Sequence, residues 1–368
     1  MADKSDENSI IKGTQLQQAR KLLRLGPEEV ASKLNVGPQV VVDWEEGRLH
    51  PTLKQLERLA ELYGRGIDYF LKITPLPPPN VEFRGKPGQT VSDLPIQAKV
   101  VLARFDELCR TALEVESLLN RKHEVTLPRF NKSVHPRVVA ENLRRKFGAG
   151  DKPLPNLRER LEHEGVRIFE LVVPEDAFSG FSFWHSAYGP CILLNASDLQ
   201  GRKNFTLAHE LAHLLYGHES TLCYIPIKLS EVRGDIEFKT TQFAVELLLP
   251  ETGVKEDFRI RGLSTMPSEA ELGKMAGKWG ASIQALGYRL ENQGLIAKGH
   301  IDTLFEPRPF LRRPRIPKWQ RQMGKRFVEE TFEAYEKGLI SAGKVASGLG
   351  ITVREAMKEI ERRGKGQA

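Results

Sequence analysis

Apolar positions in the first seventy residues recur at helical spacing in short bursts broken by turn residues. Gln15 to Leu25 and Glu28 to Leu34 read as two amphipathic helices, Asn35-Val36-Gly37 as a turn, and Pro38 to Glu46 as a third helix. After Gly47-Arg48-Leu49-His50-Pro51 the positions Leu53, Leu56, Leu59, Ala60, Leu62 and Tyr63 mark a further helix. Thr74-Pro75-Leu76-Pro77-Pro78-Pro79 ends this region as a stiff boundary. A long helical pattern then runs from Pro95 to Lys122, with Val100, Val101, Ala103, Phe105, Leu108 and Leu113 among its apolar positions. It is expected to connect two functional domains, and it is a candidate for homodimerisation.

Pro136 to Phe147 and Leu157 to Gly165 continue the helical reading, after which the period changes. Arg167 to Val173, Gly180 to Trp184 and Cys191 to Asn195 read as strands, the last two joined by a turn through Ala187-Tyr188-Gly189-Pro190. Helices return with Leu207, Leu211, Ala212, Leu214 and Leu215, with Thr206 as N-cap, and with Phe243 to Leu249, which stops at Pro250. Ser268 to Ala276 and Ser282 to Leu290 form a later pair. Arg326 to Glu361 reads as three helices, its second part, Ser341 to Arg362, being either winged-helix-like or a simple packing unit; no repeat of fixed period stands out.

Inside the apolar helix lies His209-Glu210-Leu211-Ala212-His213. Residues at i and i+4 share a helix face, so both imidazoles reach one Zn²⁺ while Glu210 sits beside the water that such an ion activates. Glu210 is the candidate general base, accepting the proton of the attacking water and returning it to the leaving amine. Catalytic zinc takes three protein ligands. Carboxylates that follow include Glu231, Asp235, Glu237 and Glu246. For the oxyanion of a tetrahedral intermediate the chain offers His218, Tyr216, His185 and Arg202, with an outer role orienting the ligands equally open to His218 and Tyr216.

Phe205-Thr206-Leu207-Ala208-His209-Glu210-Leu211 and the later Phe243-Ala244 and Leu247-Leu248-Leu249-Pro250 resemble the ImmA/IrrE metallopeptidases, whose pattern is FTLAHELxH followed by E-x-x-A-N-x-F-A-x-x-L-L-x-P. The resemblance makes Glu237 the third ligand, beside His209 and His213, with Thr240-Thr241 where Ala-Asn is usual. It implies a gluzincin-like, zinc-dependent endopeptidase, with Mn²⁺ as the alternative to zinc, that cleaves a Cro/C1-type repressor in stress response or mobile-element control. A protein substrate is expected to lie along the hairpin by main-chain pairing.

The amino-terminal helices, with Trp44-Glu45-Glu46-Gly47 and the Pro51 to Ala60 helix, resemble a Cro/C1-type helix-turn-helix domain. Such a domain implies double-stranded DNA as partner. Gly26-Pro27 and Gly37-Pro38 stand where polar helix-opening pairs are usual, so the reading surface reduces to Gln39, Val40 and Asp43, with Gln39 the base reader and protein docking an alternative. A rival function is a DNA-binding transcription factor whose peptidase-like domain senses a signal and cuts nothing. An antitoxin-like binding module is a third.

The expected fold is α+β and mostly helical, an all-α helix-turn-helix domain followed by a zinc peptidase domain with a small sheet and a helical carboxy-terminal region. Its divisions are 10–72 helix-turn-helix, 73–92 linker, 93–135 connecting helix, 136–260 peptidase core, 261–305 closing helices, 306–325 basic linker and 326–368 terminal helices. The 368 residues carry a net charge of +7, which favours anionic partners. The densest basic run, Arg308 to Arg321, is broken by prolines and has no acidic residue. No apolar run reaches the roughly 20 residues of a membrane span, so a cytoplasmic protein without membrane contact is expected. Cys109, Cys191 and Cys223 are widely spaced, which suggests neither disulfides nor a cysteine metal site.

Overall fold

The computed structural model describes residues 10–71, 82–84, 94–121, 124–174, 177–218, 221–223, 234–305 and 319–364. The proline-rich boundary at 74–79, most of the basic run, and Glu231 lie outside the described residues. In chain order the elements are α1 (Gly13–Leu22), α2 (Pro27–Leu34), α3 (Pro38–Glu45), α4 (Leu53–Tyr63), β1 (Glu82–Arg84), α5 (Ile96–Leu118), α6 (Pro136–Lys146), α7 (Leu157–His163), β2 (Arg167–Leu171), β3 (Gly180–His185), β4 (Gly189–Asn195) and α8 (Gln200–Leu215). Then follow β5 (Thr221–Cys223), α9 (Asp235–Leu248), α10 (Glu251–Ile260), α11 (Glu269–Trp279), α12 (Ile283–Asn292), α13 (His300–Leu304), α14 (Trp319–Met323), α15 (Lys325–Glu336), α16 (Ala342–Leu349) and α17 (Val353–Gly364). The architecture is α+β and mostly helical.

The chain forms two compact units. The first holds the described residues of Met1–Asn80, Gln89–Asn120 and Glu330–Ala368. Its apolar cluster draws Leu16, Val30, Leu34, Val41, Trp44, Leu56, Leu59, Tyr63 and Phe70 together with Ala103 of α5. Each large side chain removed from water there contributes roughly 1.5–3 kcal/mol. Helices α2 and α3 begin with proline, whose missing N–H lies among the donors that a first turn leaves unbonded anyway. Between them Asn35 turns the chain through a left-handed conformation, φ 60° and ψ 50°. Inside this unit Arg20 grips Glu45 with two hydrogen bonds, 2.6 and 2.7 Å, both groups being buried. Helix α5 is a core element here, burying Phe105, Leu108, Cys109, Ala112 and Val115.

The second unit holds the described residues of Val81–Gly88 and Arg121–Glu329, around a five-stranded sheet of order β1-β5-β3-β4-β2. β3 and β4 form the expected antiparallel hairpin, from Gly180 opposite Leu194 to His185 opposite Gly189. β2 runs parallel to β4, and β5 runs antiparallel to β3. Neither hairpin strand is therefore an edge, because β2 and β5 flank them. Main-chain docking of a substrate along this hairpin, as expected from the sequence, meets a ladder already filled by β5 over Gly180 to Ser182. Helix α8 packs on β3 and β4, and α9 packs on α8 and α6. α9 ends where Pro250 forces Leu249 out of helical geometry, φ −128° and ψ 63°.

Thr206 is not the N-cap of α8. The helix starts at Gln200 with Leu199 at its cap, and Thr206 is buried in mid-helix. The early turns are held by polar bonds: Lys203 Nζ reaches Glu170 Oε2 at 2.8 Å, and Asn204 Nδ2 donates to the Gly280 carbonyl at 2.7 Å. Apolar periodicity does not register such turns.

Candidate metal centre

Three turns of α8 are almost entirely buried, because Leu207, Ala208, Leu211, Ala212, Leu214 and Leu215 all join one apolar cluster. That burial carries His209, Glu210 and His213 into the interior, each no more than 1% exposed. Opposite them α9 begins at Asp235, earlier than its apolar pattern suggests, and this brings Glu237 over the histidine pair. His209 Nε2 lies 3.2 Å from His213 Nε2 and 3.1 Å from Glu237 Oε2, and His213 Nε2 lies 3.7 Å from Glu237 Oε1.

The far side of each ring is also fixed. His209 Nδ1 lies 3.3 Å from Thr241 Oγ1, and His213 Nδ1 lies 3.1 Å from His218 Nδ1. In the tautomer that donates Nδ1–H outward, each imidazole turns the lone pair of Nε2 toward the other. In that tautomer two lone pairs and a carboxylate face one point, an arrangement that a cation between them satisfies, with the Thr240 hydroxyl 3.3 Å from His209 Nε2 at its side. Atoms bonded to one zinc at about 2.1 Å with tetrahedral angles stand about 3.4 Å apart, which is the spacing found here. Glu237 Oε1 is buried without a hydrogen-bond partner among the described residues, as a ligand atom would be. The residues fit a divalent metal of the zinc kind.

Glu210 is held by a neighbour that periodicity and motif do not reveal: Ser182 Oγ on β3 donates to Glu210 Oε2 at 2.6 Å. Gly180, two residues earlier, is required by the same approach, since a Cβ there would come within 2.5 Å of Thr206 Cγ2 and 2.8 Å of Glu210 Oε1. Thr241 is likewise a partner of His209; the sequence marks the position only as threonine where the resembled pattern has asparagine, and does not pair it with His209.

The remaining candidates divide. His218 touches His213, and the Tyr216 ring stacks on His218 at 5.8 Å with its hydroxyl donating to the Val134 carbonyl at 3.1 Å. Burial pushes the Tyr216 phenol up to about 12. His218 thus lies behind His213, and Tyr216 lies behind His218. His185 is not brought to the centre: it stacks on Tyr188 at 3.9 Å and accepts from the Ala187 amide. Arg202 pairs with Asp198 and donates to Ser179. Of the rival carboxylates, Glu246 pairs with Arg289 at 2.9 Å, and Asp235 is exposed.

Residues 161–291 match the family model of the IrrE N-terminal-like domain, a peptidase family, and residues 16–70 match a helix-turn-helix model. The chain joins a helix-turn-helix domain to an IrrE-like peptidase domain. It thus has the make-up of a DNA-binding regulator with a metallopeptidase-like domain. Comparison with curated proteins gives no match. Among the described residues no helix is long and apolar enough to cross a membrane.

In the helix-turn-helix domain the three candidate reading residues behave differently. Gln39 is exposed, but its Nε2 donates to Asp43 Oδ1 at 3.0 Å. Asp43 also receives Arg48 at 2.6 Å, and these two partners, Gln39 first, hold its carboxyl below the ordinary value. Val40 is half-buried and leans on the domain core, so it is less a surface reader than the sequence suggests.

Proposed function

We propose that the IrrE-like domain is a working zinc-dependent endopeptidase, that its ligands are His209, His213 and Glu237, and that Glu210 is its general base. One observation carries the reading: the ligand atoms of His209, His213 and Glu237 all lie within 4.8 Å of one another, directly beside Glu210. Zinc held by these groups supplies Lewis acidity and shifts the pKa of water toward neutrality, with Mn²⁺ as the alternative ion. Glu210 accepts the proton of the attacking water and delivers it to the departing amine. Ser182 fixes one oxygen of Glu210, so the carboxylate need not reorganise during transfer. Thr241 and His218 orient the two imidazoles.

The substrate is a protein, and the helix-turn-helix domain points to a transcriptional repressor of similar build, cut in the cytoplasm to relieve repression. The test is incubation of the full-length protein, loaded with Zn²⁺ or Mn²⁺, with the repressors encoded beside it. Glu210→Gln is expected to keep its metal and lose cleavage, and Glu237→Ala to lose metal. Unchanged metal in Glu237→Ala overturns the ligand set. Cleavage of none of those repressors by the loaded wild type favours a sensor domain instead.

A further inference from the structure

The sequence Val30-Ala31-Ser32-Lys33-Leu34 on α2 returns as Val345-Ala346-Ser347-Gly348-Leu349 on α16, in the same unit of the chain. The match extends to the backbone. Helices α2 and α16 are both 8 residues long, and each ends on a left-handed residue, Asn35 with φ 60° and Gly350 with φ 66°. The Val36 amide donates to the Ala31 carbonyl at 3.0 Å, and the Ile351 amide donates to the Ala346 carbonyl at 3.0 Å. The Asn35 and Gly350 amides reach Ser32 and Ser347 at 3.4 Å in both cases. Three residues after the left-handed position, α3 starts at Pro38 and α17 at Val353. Burial follows the same register: Val30 and Val345, Leu34 and Leu349, and Val41 and Ala356 are all buried.

We infer that α16 and α17 are a second helix-turn-helix, and that α17 is the helix of this protein that enters the major groove of double-stranded DNA. Recognition helices read bases with the residues of their first two turns. At the corresponding places the two helices carry opposite chemistry. Gly37-Pro38 in the first motif becomes Thr352-Val353 in the second, Gln39 becomes Arg354, and the acidic Asp43 becomes Lys358. Thr352, Arg354, Met357 and Lys358 are exposed, and Val353 is 53% exposed.

The acids among them are turned to structural use. Glu355 caps the helix through the Thr352 amide and hydroxyl at 2.9 and 2.8 Å, and Glu359 is bound by Arg362 and Arg363. Glu361 is exposed further along α17. Arginine at the Gln39-equivalent place has the fork geometry for guanine, and lysine in place of Asp43 replaces a group that repels phosphate. Meanwhile α16 is pinned from behind. Lys344 reaches Asp68 at 2.5 Å and Glu114 at 3.1 Å, and Arg104 donates to the Ser347 and Gly348 carbonyls. These bonds fix α16 and leave the outer face of α17 toward solvent.

This inference refines the DNA-binding reading of the chain and is independent of cleavage. Anisotropy of a labelled duplex of about 30 base pairs and mixed sequence, near 50 mM salt and then at rising salt, tests it on the full-length protein. Arg354→Ala/Lys358→Ala is expected to weaken binding about tenfold or more and to flatten the salt slope by about one for each phosphate no longer neutralised. Both sites are exposed, so an unchanged thermal melt confirms that the variant is folded. Gln39→Ala tests the rival helix α3 and is expected to change affinity by less than about twofold. Wild-type affinity in the double variant overturns the inference, whether α17 then serves a protein partner or none. Loss in Gln39→Ala alone overturns it while leaving a DNA-binding regulator, and failure of the wild type to bind the duplex at low salt removes both.

Discussion

Thr241 holds His209 from behind with a hydroxyl 3.3 Å from Nδ1, at the place where the resembled family carries asparagine. Replacing Thr241 by valine keeps the shape and removes the acceptor, so the His209 ring is free to flip or change tautomer. Metal affinity is expected to fall about 10- to 100-fold, read by competition with a chromogenic chelator, with the melting curve of the metal-free protein little changed. Ser182→Ala acts on the other half of the centre. It removes the donor to Glu210 and is expected to lower kcat about tenfold while the bound metal, measured by elemental analysis, stays the same. An equal loss of metal would make Ser182 a structural prop of α8 instead. The histidine pair and its glutamate were legible in the sequence because a helix fixes their relation locally. Glu237 needed the family pattern. That Ser182 meets Glu210 and Thr241 meets His209 was not legible, since the partners stand 28 and 32 positions apart and only packing brings them together.

At the level of elements, the joint between α10 and α11 is built on Asp257, buried at 5% exposure. Burial by itself raises its carboxyl, but hydrogen bonds from Lys278, Trp279 and Arg261 outweigh this and hold it below the usual 3.8. A depressed folded-state pKa means stability that is present above the unfolded value near 4 and is lost as pH falls through the folded value. Asp257→Asn is therefore expected to cost about 1–3 kcal/mol near pH 7. The gap from wild type should close in denaturant titrations as pH drops below about 4. A gap that persists undiminished into acid would assign Asp257 a role in shape alone. This joint shows what periodicity can and cannot deliver. Helices α2 to α4, α6 and α12 were visible because each alternates buried and exposed faces over two turns or more. The first turns of α8 were not, because their buried groups are the Lys203–Glu170 and Asn204 bonds. β1 and β5 span three residues each, too short for a period of two to declare itself.

On the scale of the molecule, the chain returns to its beginning: residues near both ends share one unit, tied by Lys344 to Asp68 across 276 positions. No local pattern encodes such a closure, whereas the repeated Val-Ala-Ser-x-Leu was present in the sequence and gains meaning only when both copies are seen to make the same turn. If α16 and α17 are integral to this unit, a chain ending at Gly338 loses the buried Val345, Ala346, Leu349 and Ala356 together with the Lys344 ion pairs. At roughly 1.5–3 kcal/mol for each of the two large side chains, Val345 and Leu349, that deficit is a large share of the roughly 5–15 kcal/mol that holds a domain folded. Calorimetry of the truncated protein should then show one transition lowered by about 10 °C or more. The second unit keeps its own apolar cluster and the candidate metal cluster, so with metal loaded a chelator should shift only the transition that the truncation leaves in place. A truncated chain melting like the full one would make the terminal helices an appendage, and a chelator that moved both transitions would mean that the two units unfold as one.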